Sequence, residues 1–530
     1  MDDPEAWLLT ADERGNPATD LPAWTSGNRA EPLVHGATYY DRLVDEVEQL
    51  RAGDQLFFAD WQGDADERLR EDGPTVAELF SAAIKRGVCV RGLVWRSHTQ
   101  RMSFTKTENR ALDEAIEHAG GEVILDQRVR RGGSHHQKFV VLRHANDPSK
   151  DVAFVGGIDL CHSRRDDAEH AGDPQAQPMA KAYTERPPWH DVQLELRGPA
   201  VGVLDTVFRE RWDDPNSPDA DHPLAWIHDK LHHTRLHADP LPPKLPAPPE
   251  CGSLTVQNLR TYPAIRPPYA FAPDGERSVA RGYTKAIKRG RRLVYLEDQY
   301  MLSKDVARLF ADSLHEHPEL HLVVVVPRIP DQDGAFAKRP QNVGRWEAIT
   351  MCQQAGEGRV HVFDVENHAG TPVYVHAKVC VVDDVWASVG SDNFNRRSWT
   401  HDSELSSAVL DSTRDPRAPQ DPAGEGDGAR VFARNLRLAL AREHLDRAAD
   451  GSEDEDLLDP DDFVAAVEAS AAALDAWHDG GRRGPRPRGR LRPHRPEQLS
   501  RLSRLWATPV YRLLDDPDGR PLRKRVRKEF

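Results

Sequence analysis

The chain has 530 residues, 38% of them hydrophobic, enough for two or three cores, and its 36 glycines and 40 prolines imply many loops. Its 71 basic and 86 acidic side chains leave a formal charge of −15, which argues against a non-specific nucleic-acid binder, since such affinity comes from Lys and Arg displacing counterions. The opening Met1-Asp2-Asp3-Pro4-Glu5 lacks the basic end and apolar stretch of a secretory signal, and no apolar run is long enough to span a bilayer, so a cytoplasmic location is expected.

Residues 39–51 carry Leu43, Val47 and Leu50 at the spacing of an amphipathic helix, and 55–59 read as a short strand ending at Asp60-Trp61. A helix over 75–85 and a strand over 88–95 follow, and this alternation favours an α/β sandwich with a largely buried sheet. Ser134-His135-His136-Gln137-Lys138 then leads into the apolar run 139–142, and a strand over 151–155 ends at Gly156-Gly157-Ile158-Asp159. Val192 to Leu196 give another strand and Pro199–Trp212 a helix opened by proline. The stretch 239–249, DPLPPKLPAPP, can be neither helix nor central strand and marks the seam between halves.

Past that seam the order recurs, with helices near 278–288 and 305–314 and strands near 293–296 and 320–326. His376 and Lys378 fall on one side of a strand, because residues two apart share a face, and the run Val379–Val382 ends in the turn Asp383-Asp384. A second strand, 385–389, ends at Gly390-Ser391-Asp392-Asn393. Residues 432–443 close this half as a helix whose Arg434, Arg437 and Arg442 form a solvated or ion-paired face. Beyond Ala449 come an acidic run (450–462), a helix over 463–477 and an arginine-, glycine- and proline-rich stretch (480–496). The last reads as a connector balancing the acidic run, with contact to anionic lipid headgroups as the functional alternative. The resulting division is an N-terminal extension (1–30), a first domain (31–238), a linker (239–250), a second domain (251–449) and a C-terminal extension (450–530).

Five scattered cysteines with no C-x-x-C pair are expected to be reduced thiols and imply no cysteine metal site. His232, His233 and His237 precede the connector without metal-ligand context and read as a solvated helix end.

A lone H-x-K is weak. Here it occurs twice, each time followed by four apolar residues and then a strand ending at glycine, which argues for an internal duplication. The pattern resembles the phospholipase D superfamily, whose signature H-x-K-x-x-x-x-D is present twice. His376, Lys378 and Asp383 fit it in full, and Gly390-Ser391-x-Asn393 matches the element that follows. The first copy has His136 and Lys138 but Arg143 in place of aspartate. Gly156-Gly157-Ile158-Asp159-Leu160, Pro188-Trp189-His190-Asp191-Val192, Arg211-Trp212, Leu296-Glu297-Asp298-Gln299-Tyr300 and Asp402-Ser403-Glu404-Leu405 are also similar to phospholipases D, so the resemblance spans residues 32–445.

The resemblance implies two similar α/β/α sandwich domains related by a pseudo-twofold axis and sharing one cleft. It implies His136, Lys138, His376, Lys378, Asp383 and Asn393 as catalytic residues, with Asp159 and Glu404 orienting the imidazoles and Gly157, Ser391 and Gln299 at or beside the pocket. One histidine attacks phosphorus and the other protonates the leaving alkoxide; by resemblance His136 is the nucleophile, although the sequence treats the two alike. The lysines supply the positive charge at the non-bridging oxygens, so neither metal nor cofactor is needed. Asp383 lies at the far end of a buried strand, which makes a direct part in bond breaking geometrically unfavourable, and Arg143 is expected to pair with another carboxylate without loss of activity. The implied substrate is a glycerophospholipid such as phosphatidylcholine, met at a membrane surface by a peripheral protein. A cardiolipin-synthase type of transferase, a nucleic-acid phosphodiesterase and a lipid-binding protein without turnover are the alternatives.

Overall fold

The computed structural model of the protein describes residues 4–96, 105–218, 238–497, 499–527 and 530. The histidines His232, His233 and His237 lie outside the described residues. A sheet of 16 strands runs through the molecule, and its strand order shows the duplication directly. From the middle outward the first half contributes β1 (Thr25–Val34), β8 (Val192–Arg197), β6 (Val152–Gly156), β5 (Phe139–Arg143), β2 (Gln55–Asp60), β3 (Cys89–Trp95) and β4 (Glu122–Asp126). The second half contributes, in the same sense, β9 (Leu254–Tyr262), β17 (Glu404–Asp411), β16 (Trp386–Gly390), β15 (Val379–Val382), β11 (Leu293–Glu297), β12 (His321–Val325) and β13 (Val360–Val365).

The halves join where β1 and β9 pair antiparallel, Thr25 opposite Val256 and Asn28 opposite Leu254. In each half three successive strands (β2, β3 and β4; β11, β12 and β13) are parallel, linked by helical crossovers, and the strands inward of them are antiparallel. A separate parallel ribbon, β7 (Trp189–His190) with β14 (Tyr374–Val375), ties the halves again beside the motif strands.

The period of two along these strands sorts their side chains into layers. Phe57 and Ala59 of β2 and Val379 and Val381 of β15 enter one core that both halves share with helices Pro199–Trp212 and Val431–His444. Their neighbours Leu56 and Phe58 enter a core under helices Gly36–Gln49 and Val76–Lys85, while Cys380 and Val382 enter one under Ser278–Arg289 and Lys304–Glu316. Strands buried on both sides are therefore apolar without interruption, and the α/β/α layering follows. Helix starts obey local chemistry: Thr75 and Glu78 form a reciprocal capping box, and Asp459 caps a helix whose first residue is Pro460.

Three expectations change. Residues 1–30 are no extension, since β1 lies at the centre of the sheet, Trp7, Leu8 and Leu9 fill the second-half core, and Arg14 bonds Glu276 at 2.8 Å. Residues 450–530 are no appendage either. Phe463 and Val467 enter the shared core, and Leu491–Pro493 forms β18, an edge strand on β13. Part of the arginine-rich stretch is held by carboxylates, Arg488 on Glu453 at 2.8 Å, Arg490 on Asp446 at 2.8 Å and Arg492 on Asp475 at 2.5 Å, which ties it to the fold.

The proline-rich connector lies on the first half. Its prolines lack N–H groups but offer carbonyls, and these accept from Gln55 (Pro243, 3.1 Å), Arg209 (Pro242, 2.7 Å) and Arg143 (Pro246). Of the arginines placed on a solvated or ion-paired face, Arg434 and Arg437 are fully buried on Asp384 at 2.9 and 2.6 Å.

Candidate active site

His136 stands just before β5 and His376 just before β15, at equivalent places in the two halves. Each backbone is fixed by the opposite half. The His136 N–H donates to the Ser403 carbonyl (2.9 Å), and the His376 N–H to the His190 carbonyl (2.7 Å). The side chains cross in the same way. His136 Nδ1 is 2.9 Å from Glu404 Oε2, and His376 Nδ1 is 2.6 Å from Asp191 Oδ2. A carboxylate fixes the proton on Nδ1, so each ring presents Nε2, which has no protein partner among the described residues, as its reactive atom.

The site is buried, with lysines and carboxylates interleaved. Lys138 and Lys378 are buried, the first 3.4 Å from Asp159 Oδ1 and the second 3.3 Å from Gln299 Oε1. Burial, then the charges of Lys138 and Lys378, holds His136 well below the usual imidazole range, and burial with Lys378, Arg164 and Lys138 does the same to His376. Both lysines act on both rings, as expected of one convergent site. Burial also brings Lys378 down to about 8 and pushes Glu404 and Asp191 up. Both imidazoles are thus held neutral, and an anion placed between them would favour their protonated forms.

The remaining expected residues divide. Ser391 donates to Glu404 Oε2 at 2.6 Å, steadying the carboxylate that holds His136. Gln299 is oriented for Lys378 by its own bond to the Tyr374 hydroxyl, 2.7 Å. Asn393 is buried with its side-chain oxygen unpartnered. Gly157 occupies the place of Ser391 in the other half, and a Cβ there would come within 2.2 Å of Asp191 Oδ1. The missing side chain makes room for the carboxylate of His376.

Two expectations are corrected. Asp159 orients no imidazole. It accepts from the Trp61 and Gln62 amides, both at 3.2 Å, and faces Lys138, at the position that Asn393 fills in the second half. Asp383 is outside the cleft, at the far end of β15, where it accepts from the amides of Arg291, Arg292 and Leu293 at 2.7, 2.9 and 2.8 Å; burial pushes its carboxyl up to about 6. It closes a turn. At the equivalent end of β5, Arg143 is fully buried between Asp151 (2.6 Å) and Asp205 (2.7 Å).

Sequence reasoning passed over Arg164 and Trp61, and it met Asp191 only within the stretch Pro188–Val192, without a role for its carboxylate. Arg164 lies 4.0 Å over the Trp189 ring and 3.8 Å from Asp159, and Lys138 lies 5.9 Å over Trp61. A signal for Asp191 existed: it directly precedes β8 as Glu404 opens β17, so aligning the halves strand by strand places the two carboxylates together.

A family model described as phospholipase D matches residues 66–239, and one described as cardiolipin synthase, PLD-like domain, matches 323–414. Among curated relatives, phospholipase D alpha 1 of Ricinus communis is 24% identical over 76% of this chain and 62% of its own length. Phospholipase D gamma 1 of Arabidopsis thaliana is 23% identical over 79% and 63%. The chain thus spans about six-tenths of the length of these relatives. Among solved structures, a phosphatidylserine synthase from Haemophilus influenzae Rd KW20 covers 72% of this chain and 82% of its own at 13% identity, with a TM-score of 0.49.

Proposed function

Because the chain belongs to the phospholipase D superfamily, whose members are phosphodiesterases or phosphatidyltransferases, we propose that it hydrolyses glycerophospholipids, phosphatidylcholine among them, to phosphatidic acid and the free headgroup alcohol. The observation that carries this reading is the crossed pair of imidazoles, each held through Nδ1 by a carboxylate from the opposite half.

In the proposed reaction the phosphodiester enters between the two rings and its non-bridging oxygens meet Lys138 and Lys378. The Asn393 amide, turned to present its N–H, adds a hydrogen bond. The anionic phosphate makes protonation of His376 favourable again. His136 Nε2 attacks phosphorus as the bond to the headgroup oxygen breaks, and that oxygen takes the proton from His376 Nε2. The phosphatidyl-histidine is released when His376, now neutral, removes a proton from water and the resulting hydroxide displaces His136. An alcohol in place of water yields the transfer product. Glu404 and Asp191 stabilise the imidazolium forms and keep Nε2 aimed at phosphorus.

No helix among the described residues is long and apolar enough to cross a membrane, and a peripheral approach to the lipid surface fits this reading. A second reading, transfer of a phosphatidyl group to phosphatidylglycerol, is favoured by the cardiolipin-synthase match over 323–414. Phosphorus NMR on the purified chain with phosphatidylcholine vesicles and ethanol, and separately with phosphatidylglycerol vesicles, distinguishes them. Phosphatidic acid with phosphatidylethanol, lost in His136→Ala and in His376→Ala, supports the hydrolase. Cardiolipin as the main product supports the transferase, and silence on both lipids together with cleavage of a nucleic-acid diester removes both.

A further inference from the structure

A second group of imidazoles lies behind the cleft, and the scheme above does not use it. His35 follows β1, His170 sits in the loop after β6, His190 ends β7, and Glu443 projects from helix Val431–His444. Glu443 Oε2 is 2.7 Å from His35 Nε2, while its Oε1 is 3.0 Å from His170 Nε2 and 3.2 Å from His190 Nδ1. One ligand atom from each of the four residues can be chosen so that all lie within 4.8 Å of one another. All three histidines are buried.

The outer nitrogens decide what the inner ones can do. His170 Nδ1 is 3.1 Å from the Trp189 carbonyl, which only accepts, so Nδ1 carries a hydrogen. Its Nε2 then points a lone pair at the Glu443 carboxylate unless a second proton or a cation lies between them. His190 is bracketed likewise. Its Nε2 is 2.6 Å from Glu297 Oε2 while its Nδ1 faces Glu443. Two extra protons, on His170 and His190, would balance Glu443 and Glu297, and so would one divalent cation among the four inner atoms. Either filling leaves the buried group neutral, but only the cation uses all three imidazole nitrogens as ligands.

We propose that His35, His170, His190 and Glu443 form a closed four-coordinate zinc site that ties the two halves together behind the catalytic cleft. Three nitrogens and one carboxylate oxygen suit zinc, whose bonds of about 2.0–2.1 Å place neighbouring ligand atoms about 3.3 Å apart; the four ligand atoms, within 4.8 Å of one another, would draw together around the ion. Two of the three imidazoles, His190 and His170, are backed by acceptors, while His35 Nδ1 is buried without a partner among the described residues. Glu297 backs His190 and is itself fixed by the Tyr295 hydroxyl (2.5 Å) and by His444 Nε2 (2.7 Å), and the Trp189 carbonyl backs His170. A carboxylate or carbonyl behind a ligating imidazole is the usual way a metal ligand is oriented. His35 is held at φ +69°, a backbone conformation that non-glycine residues seldom adopt without compensation.

The position explains what such an ion would do. His35, His170 and His190 belong to the first half and Glu443 to the second, so the ion would staple them, and with no open coordination position its part is structural. The His190 carbonyl accepts from the amides of His376 (2.7 Å) and Ala377 (3.2 Å), and the next residue, Asp191, orients the His376 ring. Fixing His190 therefore fixes the second H-x-K motif.

The test uses the untagged full chain, because a polyhistidine tag would bind metal itself. Elemental analysis after dialysis is expected to find about one zinc ion per chain, falling below about a tenth in the double variant His35→Ala/His170→Ala. Should that variant fail to fold, the wild type decides alone. The chelated protein, titrated with cobalt, should develop the visible bands of a four-coordinate site without a thiolate charge-transfer band, and zinc should restore the melting temperature lost on chelation. A folded chain that carries no zinc and gives no cobalt bands overturns the site. So does full metal content in a folded double variant.

Discussion

Asp191 of the first half holds the Nδ1 of His376 of the second at 2.6 Å, and Glu404 of the second half returns the arrangement to His136 of the first at 2.9 Å. Neither half contains a complete catalytic unit. The pseudo-twofold axis makes the site by exchanging carboxylates.

Asp191→Asn is expected to lower kcat by about 10²- to 10⁴-fold, because an amide N–H facing Nδ1 forces the hydrogen onto Nε2 and removes the stabilised imidazolium. Glu404→Gln should have a similar effect through His136. Asp159→Asn, which touches no imidazole, should reduce turnover by less than either. Steady-state kinetics on the three variants, with circular dichroism confirming their folds, checks the order; Asp159→Asn as the most damaging of them would reverse the assignment.

Lys378 falls to about 8 because it is buried, and only its ammonium form can hold a phosphate oxygen. We expect kcat/KM to decline as pH rises through about 8 and the decline to move upward in Lys378→Arg. The loss should not be one of folding. With its folded value below the ordinary lysine range, this group leaves the unfolded chain binding more protons at pH values between the two, so its contribution to stability rises with pH there. Parallel pH profiles of kcat/KM and melting temperature separate the two effects.

Gly157→Ser makes the first half match Ser391 of the second, yet it should be damaging, since the new Cβ comes within 2.2 Å of Asp191 Oδ1. Displacing that carboxylate is expected to lower kcat by about 10²-fold or more, as misplaced catalytic groups do. Ser391→Gly, which removes a donor to Glu404 and an acceptor of the Leu405 N–H but displaces no carboxylate, should cost less, about tenfold. Comparing kcat for the two variants checks the asymmetry.

Arg143→Asp would restore the first motif to the superfamily pattern and is expected to unfold the protein rather than improve it. The change removes the arginine shared by Asp151 and Asp205, leaving Asp205 with Arg209 alone among the described residues, and puts a third carboxylate between them. Leaving buried charges unpaired costs about 3–5 kcal/mol. Chemical denaturation of the variant gives the loss directly.

Asp383→Ala is expected to act on stability alone. Three amides lose their acceptor, at about 1–3 kcal/mol for buried groups left unsatisfied, while the cleft at the other end of β15 is untouched. A lowered melting temperature with kcat of the folded fraction within about threefold of wild type is the expected outcome; a far greater loss of kcat would return Asp383 to the catalytic group.

The sequence by itself determined the repeated units. The H-x-K spacing recurred in each half, uninterrupted apolar runs marked strands buried on both sides, and the proline-rich connector marked where one half gives way to the other; the motifs themselves lie just before their strands, not on them. These are local properties, written within a few residues of the groups they position. Partnership across the axis was decided only by the tertiary structure. Asp191 is 185 residues from His376 and Glu404 is 268 from His136, and no local pattern distinguishes a carboxylate that will face an imidazole from one that, like Asp159, will face a lysine. The same holds for β1, whose TSGNRAEPLV has no apolar alternation and whose central place comes from pairing with β8 and β9. It holds too for Arg488, Arg490 and Arg492, which read as a connector until acidic partners 35, 44 and 17 residues away fix their stretch to the sheet edge. Hydrogen bonds and ion pairs between distant segments depend on where the backbone brings them, and that is set by the assembled sheet.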